Sequence, residues 1–383
     1  MANIFLSHNN IVSAYGFHTQ AAISKVESEV SSLQLIEDKH ILPHPFYASR
    51  IDQNRLLEEY HKLSPKETHT RLEQMLIVSL SDALSKANIE LNERVGLIIS
   101  TTKGNIDVLE ERNPFPEERA YLGVLGAKIQ KFFGFRNKAI VLSNACVSGV
   151  LAVAAAKRFI QQETYDHVFV IGGDLVTQFI LSGFNAFQAL SDAPCRPYCN
   201  TRTGINIGEV AASVLVTKDS KKAIPESVAV LGEASCNDAN HISGPSRTGE
   251  GLYKSIQIAL AQSGLSSTAI DYISAHGTAT QFNDEMEAIA FNRAEMGNTP
   301  LNSLKGYFGH TLGASGLLET IIGMYSLHQN TLFASKGFQE LGVSMPLNII
   351  RETRHKDIRT FLKTASGFGG CNTAVIFQKI QEY

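Results

Sequence analysis

Apolar and polar positions along this chain alternate between two rhythms. Short apolar runs bounded by polar residues predict strands at Ile4–Leu6 with Ile11–Val12, Val95–Ser100, Ala139–Ser143, His167–Ile171 and Ala211–Thr217. After the polar, breaker-rich stretch Lys218–Pro225, further runs predict strands at Val228–Gly232, Tyr272–Ala275, Pro300–Ser303, Phe361–Ala365 and Thr373–Gln378. Between them the apolar spacing changes to that of a helix, over Thr68–Ala87, Val150–Gln162, Leu252–Ser263, Asp284–Met296 and Ala314–Gln329. Strands alternating with helices predict an α/β protein. The break near residues 219–226 divides the chain into two halves, each with a strand–loop–helix core. That predicts an N-terminal half over 1–220 and a C-terminal half over 221–383, without a residue-by-residue repeat.

Composition narrows the function classes. The chain has 383 residues, 44% hydrophobic and 19% charged, which is ordinary for a globular protein that buries a large core. The formal net charge is −3 and no basic block occurs, so a nucleic-acid role lacks electrostatic support. No apolar run reaches the roughly 18 residues of a membrane helix, and the N-terminus lacks the charged and apolar regions of a signal peptide. Five scattered cysteines do not form a secreted disulfide framework, so the expected location is cytoplasmic. Cys195 and Cys199 lack a second Cys/His pair at zinc spacing, and no metal is expected there.

Four segments carry candidate chemistry. Cys146 stands between the strand Ala139–Ser143, read as buried, and the apolar helix from Val150. Unpaired N–H groups and the positive end of a helix dipole there favour a thiolate; a small core residue is the competing reading. In Asp271–Thr280 a strand ends at His276 and passes through a loop containing Gly277, Thr278 and Thr280 into a helix capped by Asn283 or Asp284. His276 is either a ligand-facing group or a solvated loop histidine. The window Asn302–Gly316 holds Lys305, His310 and four glycines, but no Gly-Lys-Ser/Thr follows, so it is not a phosphate loop. Lys305 and Glu319 are placed to pair as scaffolding. Last comes a glycine turn, Ala365 to Asn372, between two late strands.

In combination, the order Cys…His-Gly-Thr-x-Thr…Lys-x-x-x-x-His…Gly-Phe-Gly-Gly-x-Asn resembles the β-ketoacyl-acyl-carrier-protein synthases of the thiolase superfamily. Thr101–Gly104, Gly183–Ser191, Arg196-Pro197-Tyr198, Gly208-Glu209, and Asn237–His241 with Gly244-Pro245 extend the match along the chain. The resemblance implies a thiolase-like fold of duplicated mixed-sheet/helix halves, layered αβαβα. It implies an acyl carrier protein as partner, a homodimer or a heterodimer with a related subunit, and neither metal nor organic cofactor. Carrier proteins are acidic, which implies a basic surface near the pocket mouth.

By the same resemblance Cys146 takes the acyl chain as a thioester, and the N–H groups of Cys146 and Phe368 form its oxyanion hole. His276 and His310 donate Nε–H bonds to the enolate formed when malonyl-carrier protein loses its carboxylate. Lys305, paired with Glu319 and therefore protonated, orders the site around His310. Asp284 is a structural carboxylate, Thr278 and Thr280 hold the phosphopantetheine arm, and Phe184 lines the acyl pocket.

Several positions depart from the family pattern. Ser366 stands where a gating Phe is common, Cys199–Gly204 lacks acidic residues beside Arg202, and Gly306 follows Lys305 where Ser is usual. These point to a divergent branch serving fatty acid or specialised polyketide or polyene synthesis. The competing readings are a non-catalytic, chain-length-determining partner subunit, a thiolase or other acyl-CoA condensing enzyme, and a zinc site of Cys146, His276 and His310. The intact cysteine argues against the first, the two histidines with Lys305 against the second, and the flanking motifs against the third.

Overall fold

Eleven strands form one mixed sheet among the residues that the computed structural model describes, 4–111, 113–238 and 244–380. They are β1 (Phe5–Ser13), β2 (Val95–Ser100), β3 (Ile140–Leu142), β4 (His167–Asp174), β5 (Val210–Thr217), β6 (Val228–Asn237), β7 (Tyr272–Ser274), β8 (Pro300–Asn302), β9 (Asn348–Ile349), β10 (Thr360–Gly367) and β11 (Cys371–Lys379). Their spatial order is β9-β8-β7-β10-β11-β6-β1-β5-β4-β2-β3. All strands before residue 220 therefore lie on one side. Those after it lie on the other, joined through the short pairing of Phe5 with Ala229 and Leu6 with Val228.

Side chains alternating along each strand separate three layers of core. Val168 and Val170 of β4 face a central cluster, while Phe169 and Ile171 face an outer one. Across the molecule Phe361 and Val375 face the same central cluster, and Leu362 and Ala374 face a second outer one. The principal helices are α1 (Arg71–Ala87), α2 (Ser148–Gln161), α3 (Gln178–Ala186), α4 (Glu250–Ser263), α5 (Gln281–Arg293) and α6 (Ser315–Gln329). Helix α1 covers the first outer cluster, α4 and α5 the second, and α2 and α6 lie between the two sets of strands. This is the αβαβα layering expected from the sequence. Accordingly α6 is buried on nearly every face, as a helix between two sets of strands must be.

Two details position the site. The N-termini of α2 and α6 cross almost backbone to backbone, where a Cβ on Gly149 would stand 2.7 Å from Leu317 N and one on Gly316 2.7 Å from Val150 N. Strand β3, expected to be buried, is the sheet's terminal strand and is half-buried along its length. Elsewhere β1 runs unbroken where two short strands were expected. Its polar centre is paired internally, with Thr19 Oγ1 donating to Asn9 Oδ1 at 2.9 Å and Asn10 Nδ2 to Phe17 O at 2.9 Å.

Candidate active site

The chain leaves β3 and turns sharply into α2. Ala145 sits at φ 45°, in the left-handed region that side chains other than glycine rarely adopt. Ser148 holds this bend, its Oγ accepting from Asn144 N at 2.8 Å and donating to Ala145 O at 2.7 Å. Cys146 is thereby fixed at the crossing of α2 and α6. The thiol is buried, and burial pushes it up to about 12. The sequence argument from the helix end favoured the thiolate; desolvation outweighs it, and the resting group is a thiol.

His276 follows β7 and His310 follows the single helical turn Lys305–Phe308. Both are buried, their rings lie 5.2 Å apart at 80°, and their ligand atoms lie within 4.8 Å of each other and of Cys146 Sγ. Burial, then the Lys305 charge, holds both histidines well below the ordinary range, so both are neutral near pH 7. Their rear contacts decide the tautomer. Leu312 N points at His310 Nδ1 from 3.3 Å, and Lys305 Nζ at His276 Nδ1 from 3.4 Å. Each Nδ1 meets a donor and must accept, so each proton resides on Nε2. His310 Nε2 is buried without a hydrogen-bond partner among the described residues.

The same contacts weigh against zinc. A histidine that ligates through Nε2 needs its proton on Nδ1, usually donated to an acceptor behind it. Here a donor stands behind both rings.

Lys305 Nζ lies 2.8 Å from Glu319 Oε1, and it also donates to the His276 carbonyl. The resemblance put Lys305 around His310; its ammonium goes to His276, because the turn at 305 faces the end of β7. Glu319 also receives Lys363, at 2.5 Å. Burial alone raises the Glu319 carboxyl, but the two ammonium groups hold it below its ordinary value.

Loop 276–280 is bound to α5 by carboxylates. Asp284 accepts from Thr278 N at 3.0 Å, Ala279 N at 3.2 Å and Tyr198 N at 2.7 Å. Glu287 accepts from His276 N at 2.9 Å and Gly277 N at 2.7 Å. Thr280 caps α5, accepting from Asn283 N; neither Asn283 nor Asp284 does so, since the helix starts at Gln281 and Asp284 reaches back to the loop. Thr278 and Thr280 bond each other at 2.9 Å on the cavity wall. Arg202, which lacks an acidic neighbour in sequence, lies 3.7 Å from Asp284.

Sequence reasoning missed Glu287, Lys363 and Asp174. Asp174 ties the loop after β2 to the His310 loop by accepting from Thr101 Oγ1, Thr102 N and Gly313 N at 2.7–2.9 Å. The one signal for Lys363 was a lone lysine in an apolar strand run.

The three groups open into a cavity of about 380 Å³ whose wall includes Phe184, Phe187, Ser366 and Phe368. The Phe368 ring, 42% exposed, stands 5.9 Å from Phe184 and 5.3 Å from Phe187. Gly367 brings its strand against Cys146, since a Cβ there would lie 3.0 Å from Cys146 N. Ser366 Oγ donates to Asn372 Oδ1 at 2.7 Å. No lysine or arginine lines the cavity among the described residues. Ala239, Asn240 and His241 of the Asn237–His241 motif lie outside the described residues.

Comparison with known proteins gives a consistent outcome. The family models "beta-ketoacyl synthase, N-terminal domain" and "beta-ketoacyl synthase, C-terminal domain" match residues 20–222 and 228–339. A putative mitochondrial 3-oxoacyl-[acyl-carrier-protein] synthase of Schizosaccharomyces pombe is 26% identical over 98% of this chain and 94% of its own. The 3-oxoacyl-[acyl-carrier-protein] synthase 2 of Coxiella burnetii is 26% identical, covering 80% of this chain and 81% of its own. Among solved structures, the ishigamide ketosynthase/chain length factor superimposes with a TM-score of 0.91 at 24% identity, over 99% of this chain and 100% of that one. The ketosynthase ApeO in complex with its chain length factor ApeC, from Xenorhabdus doucetiae, gives 0.88 at 24% identity over 99% and 98%.

Proposed function

Since this chain belongs to the beta-ketoacyl synthase family, we propose that it condenses acyl- and malonyl-acyl-carrier protein, with loss of carbon dioxide, to β-ketoacyl-acyl-carrier protein. The observation that supports this most directly is the convergence of one thiol and two neutral imidazoles, a ring nitrogen of each lying within 4.8 Å of the sulfur and of the other.

In the first half-reaction Cys146 sulfur attacks the acyl thioester carbonyl. The tetrahedral oxyanion is held by the N–H groups of Cys146 and Phe368, and the carrier's pantetheine thiol leaves. The proton lost by Cys146 is matched by the one that this thiol gains, so a resting thiol with a high pKa suffices. In the second, the malonyl carbon–carboxylate bond breaks and its electron pair forms an enolate on the thioester oxygen. His276 and His310 donate Nε2–H to that oxygen, each needed uncharged and with its proton already in place. The enolate carbon attacks acyl-Cys146, the new carbon–carbon bond forms, and the Cys146 sulfur leaves as a thiolate that takes one proton from solvent. Lys305 and Glu319 keep His276 in place, Asp284 the loop, Thr278 and Thr280 the pantetheine arm, and Phe184 the acyl chain.

The substrates ride on acyl carrier protein, and no metal or organic cofactor enters these steps. We read the chain as two halves, 1–220 and 221–383, which the position of the β1–β6 junction supports. A fatty acid or a specialised polyketide or polyene pathway would use this product; the wall of Phe184, Phe187 and Phe368 favours flat, π-rich acyl chains. No helix among the described residues is long and apolar enough to cross a membrane. Five unpaired thiols suit a reducing, cytoplasmic location. The oligomer is a homodimer or a pair with a related subunit. A non-catalytic, chain-length-determining role has no need of this triad.

The test is intact-mass analysis after incubation with saturated and polyunsaturated acyl-carrier proteins, followed by malonyl-carrier protein. We expect a single acyl adduct that Cys146→Ala abolishes, then its release as a β-ketoacyl product. An adduct that persists in Cys146→Ala removes the nucleophile assignment. Acylation without condensation supports the partner-subunit reading.

A further inference from the structure

Lys363 lies in the middle of β10 with its side chain fully buried. A lysine there carries a large desolvation cost, so its surroundings must repay it. Its Nζ lies 2.5 Å from Glu319 Oε2 and 3.0 and 3.1 Å from the carbonyls of Ser274 and Ala275. Lys305 meets Glu319 Oε1, the His276 carbonyl and His276 Nδ1. Each ammonium thus faces three acceptors, the contact of Lys363 with Glu319 Oε2 being an ion pair. Two cations share one carboxylate, Glu319, while a second carboxylate, Glu287, accepts from the backbone N–H of His276.

We propose that Lys363 is a positioning residue for the condensation step, holding His276 from behind in the Nε2–H tautomer. It acts in two ways. By occupying Glu319 Oε2 it prevents that carboxylate from drawing Lys305 away from its longer, weaker contact with His276 Nδ1. By binding the carbonyls of Ser274 and Ala275 it fixes the two residues immediately before His276. The Lys363 charge itself also opposes protonation of His276 and favours an enolate in front of it.

This rests on the condensing-enzyme reading, so the test separates the two. Lys363→Met and Lys363→Gln are compared with wild type for Cys146 acylation by intact mass, for malonyl-carrier-protein decarboxylation, and for the pH profile of kcat. The glutamine variant retains donors for the two carbonyls without the charge, and so guards against a methionine variant that fails to fold. Acylation should stay within about two-fold of wild type, while decarboxylation falls about ten-fold or more in Lys363→Met and less in Lys363→Gln. The acid limb should move to higher pH in both, because the Lys363 cation is lost while the other groups around His276 remain: Lys305, His310, Cys146, Asp284, Glu287 and Glu319. Unchanged decarboxylation and an unmoved acid limb in folded variants would overturn this proposal alone. So would equal losses in both half-reactions, the mark of a merely structural role. A wild-type protein that does not acylate at Cys146 would overturn the underlying reading and this one with it.

Discussion

At the scale of single residues, each group proposed as catalytic is defined by what stands behind it. Burial, more than any nearby charge, makes Cys146 a thiol at rest, whereas His276 and His310 are held neutral by burial and by nearby ammonium groups. These states suit successive half-reactions, and single substitutions should separate them. His310→Ala should acylate at Cys146 yet lose about a hundred-fold in decarboxylation of malonyl-carrier protein, the typical loss on removing one oxyanion donor. Equal loss in both steps would count against its role as enolate donor. The pH dependence has a definite sign. Protonating either histidine removes its neutrality, and both titrate below 6.5, so the acid limb of kcat should lie below pH 6.5. The same groups bind protons more readily unfolded than folded. Their contribution to stability is therefore complete above 6.5 and is lost as pH falls from there towards their folded pKa values. Stopped-flow condensation between pH 5 and 8 reads the activity limb; an acid limb above 6.5 would contradict neutral, buried histidines.

At the scale of elements, the site depends on two helix ends approaching more closely than side chains allow. Gly149 and Gly316 permit this, and Gly149 also lies where a Cβ would stand 2.9 Å from Gly313 O. Because backbone lines the contact, no rotamer change relieves the clash. Gly149→Val should cost about 1–3 kcal/mol by overpacking. A lower denaturant midpoint and slower Cys146 acylation would report it together, since the strain falls three residues after the nucleophile. Wild-type stability would mean that the crossing is looser than described. Elements such as these were partly legible in sequence. Val95–Ser100 was read at its observed limits, as its apolar run ends abruptly at both sides, and the apolar face of α1 was equally plain. The polar centre of β1 was not, because its asparagines are satisfied by Phe17 and Thr19 of the segment that follows and look from sequence like a loop. Thr280 was passed over as a helix cap because Asn283 and Asp284 competed for that reading.

At the scale of the whole molecule, Cys146, His276 and His310 were legible because each stands in a motif of small and glycine residues that a plain core would not need. Glu287, Asp174 and Lys363 were not. They act through backbone groups of other segments, and only folding reveals which carbonyl or N–H an isolated charge will meet. Quaternary structure is written at a further level, in what the fold leaves uncovered. Strand β3 ends the sheet with one edge unpaired, a liability in a protein that stays single. Tyr121 leads into the helix Leu122–Phe133 that packs on this edge strand, and Leu109 and Phe179 lie on segments packed against each other; all three are more than half exposed. A two-fold axis would pair β3 with its counterpart and cover these side chains on both copies at once. Light scattering at micromolar concentration should therefore give twice the chain mass. Tyr121→Asp with Phe179→Asp, which places charge on that face without disturbing the core, should give a single chain. The geometry also sets the outcome that would overturn self-pairing. A wild-type chain that is monomeric alone, but doubles in mass with a related ketosynthase-like subunit, would show that this edge is complementary to another sequence.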